Sequence, residues 1–142
     1  MIRVHQVSRA FGGKVAIDGV SWTAGPGQVT CLLGPNGAGK TTTVEIAEGL
    51  QRADSGTVEV LGADPWRADA EHRARVGVML QDGGLPQSVR PVALLHHLAR
   101  FYADPADVDA LAGELGLDHF ADTPVRRLSG GQRQRVALAA AL

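Results

Sequence analysis

GPNGAGKT, Gly34 to Thr41, fits the pattern G-x-x-x-x-G-K-[ST]. The apolar run QVTCLLG leads into it, and TTTVEIAEGL, with helical spacing at Val44, Ala47 and Leu50, leads away. The sequence therefore predicts a buried strand, a glycine-rich turn and a helix, in that order. Gly34, Gly37 and Gly39, separated by Pro35, Asn36 and Ala38, permit backbone angles that turn successive N–H groups inward around a phosphate chain. The positive end of a helix beginning near Lys40 adds to that field. Lys40 is placed to reach β- and γ-phosphates, the Thr41 hydroxyl to bind Mg²⁺ and Thr42 to touch an α-phosphate.

Outward from this loop, IRVHQV, VAIDGVSW, QVTCLLG, TVEVLG and RVGVMLQ read as strands separated by glycine turns. Strands alternating with a helix imply an α/β domain whose sheet is parallel at least in part. QVTCLLG, apolar without alternation, predicts a strand buried on both faces and makes Cys31 a small buried hydrophobe. Past Asp82 the character changes. VALLHHLARFYA carries apolar residues at Val92, Leu95, Leu98 and Tyr102, and DPADVDALAGELG offers Asp104 as N-cap, Pro105 at the first helical position and Gly116 as a stop. The organisation expected is one domain over 1–142, with an α/β core at 1–81, a helical part at 82–128 and a last helix at 129–142.

Composition narrows the function. With 14 Lys+Arg against 15 Asp+Glu, the net charge of −1 gives no basic surface for displacing counterions from nucleic acid, so no nucleic-acid partner is expected. The single cysteine forbids an internal disulfide and fits a reduced, cytoplasmic setting. No apolar segment approaches the roughly 18 residues a membrane span requires, and MIRVHQVSRAFGG has no apolar targeting core. His96 and His97, adjacent on one helix, point in different directions and suit packing or surface roles better than a metal site.

A second anion-binding signature lies at LSGGQ, Leu128 to Gln132. Ser129 sits where an N-cap hydroxyl belongs, and Gly130 and Gly131 expose backbone in the first turn. Taken alone, the same residues also suit a plain helix cap with an easy turn.

Together these motifs resemble the ATP-binding subunit of ABC (ATP-binding cassette) transporters. GPNGAGKTT is similar to the Walker A motif, Gln81 in VGVMLQDGG to the Q-loop glutamine, and LSGGQRQRVALA to the signature. The fold this implies is a P-loop NTPase of the ABC ATPase type: a mixed sheet with a P-loop core plus a helical subdomain. The resemblance implies ATP and Mg²⁺ as ligands. It assigns Phe11 to stacking on adenine, although a packed strand-end phenylalanine is the alternative. Gln81 would contact Mg²⁺ and the attacking water, with Lys40 as the other catalytic group. Ser129, Gly130, Gly131 and Gln132 would meet an ATP held by the Walker A of a second ATP-binding subunit, in a head-to-tail dimer. The helical part, through Leu94, Leu95, Leu98, Phe101 and Tyr102, would receive a separate polytopic membrane permease, placing the subunit on the cytoplasmic face. The wording VGVMLQDGGLP in an Arg- and Ala-rich background is similar to bacterial drug- or antibiotic-export ATPases.

The sequence also departs from that family. No acidic residue follows Asp122, so the Walker B aspartate, the catalytic glutamate and the switch histidine have no counterpart, and the central strand that carries the carboxylates is missing. The expectation is a chain truncated after the signature, able to bind nucleotide but without hydrolysis on its own, and with QVTCLLG left as an unpaired edge. Two other readings stand beside the transporter ATPase: a nucleotide-binding module without turnover, and a soluble, non-transport ABC ATPase.

Overall fold

The computed structural model describes residues 1–80 and 84–142 and falls into two compact units, Met1–Arg75 and Val76–Leu142. The first contains β1 (Ile2–Phe11), β2 (Lys14–Ala24), α1 (Lys40–Ala47), β3 (Ser55–Val60) and α2 (Ala70–Arg73). The second contains α3 (Pro91–Ala99), α4 (Val108–Glu114), two single-turn 3₁₀ segments (Asp118–Phe120 and Val125–Arg127) and α5 (Gly130–Ala141).

In the first unit the strands form an antiparallel sheet in the order β2-β1-β3. Gly12 and Gly13, at φ 54° and 83°, connect β1 to β2 as a two-residue turn in which both residues need positive φ. Phe11 pairs with Lys14 across that turn. β1 bulges in mid-strand, where Gln6 adopts φ 49°, and Gly56 of β3 lies against the displaced backbone. A Cβ on Gly56 would stand 2.3 Å from the Gln6 carbonyl oxygen and 2.6 Å from that of His5, at φ 82°. Gly56→Ala is therefore expected to destabilise the chain by roughly 2 to 4 kcal/mol. Gly130→Ala, where an added Cβ meets nothing, should stay within about 0.5 kcal/mol; urea midpoints of the two variants check both values.

Val4, Val7, Ile17 and Ile46 make the core of this unit, flanked by Ile2, Val20, Trp22, Ala53 and Val58. The face of α1 turned inward is Thr43, Ile46 and Ala47. Of the expected positions only Ala47 is buried; Val44 and Leu50 are exposed, because Ile46 is the residue that meets the sheet and the inward face is set one position away.

The runs QVTCLLG and RVGVMLQ do not form strands over their described residues. Val29 and Leu33 are 95% and 88% exposed, Met79 and Leu80 are about half exposed, and Cys31 is exposed rather than buried. A strand needs a neighbour for its N–H and C=O groups, and none of the described residues pairs with either run. The parallel part of the expected sheet is accordingly unformed, and every described ladder is antiparallel.

The second unit packs Leu94, Leu95, Ala112, Leu117, Phe120, Val125, Leu128, Val136 and Ala139 into one core. α3 starts at Pro91, whose missing N–H suits a first turn, and ends at Ala99 rather than running on to Tyr102. Phe101 and Tyr102 lie beyond it, 75% and 48% exposed. The cap of α4 is Asp107, whose carboxylate accepts the Asp109 and Ala110 N–H groups at 3.1 and 3.0 Å. Asp104 and Pro105 precede the helix, so the cap sits three residues later than expected; Gly116, at φ 64°, follows the helix end as expected.

Candidate functional site

The phosphate loop begins as irregular backbone and closes onto α1. Gly37 and Gly39 take φ 82° and 81°, the left-handed region that the reading of the motif requires. Gly39 has a second reason to lack a side chain: its Cβ would lie 2.2 Å from Ile17 Cγ2 and 2.5 Å from the Ala16 carbonyl oxygen. The loop is thus seated directly on β2. As N-cap of α1, Gly39 supplies no side-chain acceptor for the first-turn N–H groups, which leaves the positive helix end to an external anion.

Lys40 folds back onto the loop. Its ammonium donates to the carbonyls of Gly34 at 2.8 Å and Pro35 at 2.7 Å, which holds the cation against the start of the loop. Thr41 is exposed and Thr42 half-buried on the first turn, while the Thr43 hydroxyl donates to the Gly39 carbonyl at 2.8 Å and anchors the loop from behind. Sequence reasoning did not single out Thr43; its signal is a threonine four residues after the last loop glycine, the spacing for back-bonding within a helix. The donor set suits a nucleotide's phosphates, with loop N–H groups and a cation, and the Thr41 hydroxyl makes no hydrogen bond among the described residues and is of the type that a magnesium ion takes.

Phe11 ends β1 at the hairpin corner, 44% exposed. It is not the packed residue that the alternative reading required. The Arg9 guanidinium carbon stands 4.8 Å from the centroid of its ring, and Arg9 pairs in register with Ile17, the residue against which Gly39 rests. The hairpin therefore joins the exposed ring to the phosphate loop within one unit. Arg9 is held by Asp54, whose other oxygen accepts the Ala10 N–H at 2.8 Å. The Ala10 N–H first, and then the Arg9 guanidinium, hold the Asp54 carboxyl below the usual carboxylate range.

In the second unit Ser129 caps α5 with a reciprocal pair of bonds. Its hydroxyl accepts the Gln132 N–H at 3.3 Å, and Gln132 Oε1 accepts the Ser129 N–H at 2.8 Å. The Gln132 side chain is thus engaged in the cap. A Cβ on Gly130 or Gly131 would meet nothing within 4 Å, and neither takes positive φ. Among the described residues neither packing nor backbone geometry calls for these glycines, and both are exposed. Gln81 lies outside the described residues. His96 Nε2 faces the Asp109 carboxylate, to which its N–H donates, at 3.1 Å, and no cluster of three His, Cys, Asp or Glu suited to a metal occurs among the described residues.

The ABC transporter profile matches residues 17–142, which takes in the phosphate loop and the capped glycine pair. The chain belongs to the ABC transporter family. Among relatives of the ABC chain, the zinc import ATP-binding protein ZnuC of Pseudomonas fluorescens is 41% identical over all of this chain and 51% of its own length. The Nod factor export ATP-binding protein I of Paraburkholderia xenovorans is 36% identical over 99% of this chain and 48% of its own length. The chain spans about half the length of these curated relatives. A dimeric ATP-binding cassette solved in a post-hydrolysis state with ADP and Pi superposes on all of it with a TM-score of 0.80 at 24% identity, covering 69% of that chain. The fold is that of an ABC ATPase, a P-loop NTPase.

Proposed function

We propose that this ABC chain is the nucleotide-binding portion of a transporter's ATP-binding subunit, and that it takes ATP with Mg²⁺. The observation that carries the reading is the phosphate loop: left-handed Gly37 and Gly39, an uncapped α1 terminus and the Lys40 ammonium held against the start of the loop. In this reading Gly34 to Thr42 wrap the phosphates, Thr41 and Gln81 serve the metal, and Phe11 carries adenine. Ser129, Gly130 and Gly131 face a nucleotide held by a second ATP-binding subunit. The open space around the two glycines supports that role, since an incoming phosphate needs bare backbone there. The permease-facing assignment of the helical part, the division at 81 and 128, and a peripheral location on the cytoplasmic face belong to the same reading. No helix among the described residues is long and apolar enough to cross a membrane.

VGVMLQDGGLP is similar to export ATPases, but similar relatives carry zinc import and Nod factor export names alike, so the function proposed is ATP-driven transport. The test is equilibrium binding of ATP and Mg²⁺ to the purified chain, followed by displacement with inorganic tripolyphosphate. Saturable binding that tripolyphosphate displaces is the expected result. Failure of both ligands to bind overturns the reading.

A further inference from the structure

We propose that Arg9, fixed by Asp54, is a positioning residue for base recognition: its guanidinium braces one face of the Phe11 ring so that the purine of ATP stacks on the other. The inference rests on the ATP-binding reading above and adds a second layer to it.

An aromatic ring next to a two-glycine turn, with 44% of the residue exposed, has little packing to fix it. The brace supplies what packing does not. Arg9 itself is only 27% exposed along its side chain, so most of its rotamer freedom is already lost before a ligand arrives. Asp54 holds it through a carboxylate that also takes the Ala10 N–H, while the Asp54 N–H donates to the Ser8 carbonyl at 2.9 Å. One residue is thereby tied to three consecutive positions of β1, which distinguishes it from a surface ion pair between two free side chains. The Ala10 N–H and the Arg9 guanidinium that hold the Asp54 carboxyl below the usual carboxylate range are the same contacts that fix it in place.

The cation also has an electronic consequence. Two stacked rings repel through their negative faces. A guanidinium on the far face of Phe11 draws that density toward itself and makes the near face a better partner for a purine. The phosphate loop is seated on β2 at Ala16 and Ile17, and Ile17 pairs with Arg9, two residues before Phe11, so the ring and the loop are near neighbours at the turn end of the hairpin.

The experiment compares affinities for ATP and for inorganic tripolyphosphate, each with Mg²⁺. Arg9→Ala should weaken ATP about two- to fivefold and leave tripolyphosphate unchanged, which also shows that the loop is still folded. Phe11→Ala should cost about tenfold on ATP alone. The double variant should lose no more than Phe11→Ala, because the brace acts only through the ring. Arg9→Lys should recover part of the loss. Unchanged ATP affinity in Arg9→Ala, or equal losses for both ligands, overturns the proposal; equal losses would mean that Arg9 serves the phosphates or the fold. If the unmodified chain binds neither ligand, the ATP-binding reading itself fails first.

Discussion

Lys40→Ala is expected to weaken ATP binding by roughly one to two orders of magnitude, the equivalent of a charge-assisted contact of about 1.5 to 3 kcal/mol. Two carbonyls of the loop hold the ammonium beside it, so the variant loses a charge that the wild-type chain keeps next to the proposed phosphate site. The rest of the loop does not depend on it. Gly39 is set by its seat on Ala16 and Ile17, and Thr43 ties it from the helix side. Circular dichroism and the urea midpoint should therefore stay close to wild type while nucleotide affinity falls. Removing one cation should also affect tripolyphosphate as strongly as ATP, the opposite of the Arg9 pattern. Equal ATP affinity in wild type and variant would remove the phosphate-loop assignment.

That contrast follows from which features the sequence could express. The loop was legible because its chemistry is local: glycine spacing, a lysine and a helix start all lie within eight residues, and the φ values at Gly37 and Gly39 answer to them. Ser129 was legible for the same reason, and its capping box is present. The α4 cap shows the limit of local signals: Asp104 and Asp107 both offer a carboxylate before a helix, and only the packing of Ala112 and Leu117 into the core decides where the first turn begins. QVTCLLG went further astray, because its apolar composition describes the environment of a strand and that environment must be supplied by a neighbouring strand. The Arg9–Asp54 pair was invisible, since 45 positions separate the partners and neither belongs to a motif.

The 142 residues on their own are expected to bind ATP without turning it over. Phosphoryl transfer to water depends on a base or orienting group for the nucleophile and on charge stabilisation at the metal. Lys40 and the loop N–H groups provide part of the second requirement. For the first, the proposed reading assigns Gln81, an amide that can orient water but takes up no proton. A missing general base alone removes about two to four orders of magnitude. Against an ordinary turnover of about 1 s⁻¹ or faster, the chain should give phosphate release close to a blank. Single-turnover measurements with the chain in excess over ATP, at a concentration between the affinities of the wild type and Lys40→Ala and with Mg²⁺ present, separate binding from chemistry. Wild type should retain intact ATP that Lys40→Ala does not, with both releasing phosphate at the same background rate. A Lys40-dependent turnover on the order of 1 s⁻¹ would mean that a group within these residues activates water, and Gln81 would then be the first to substitute.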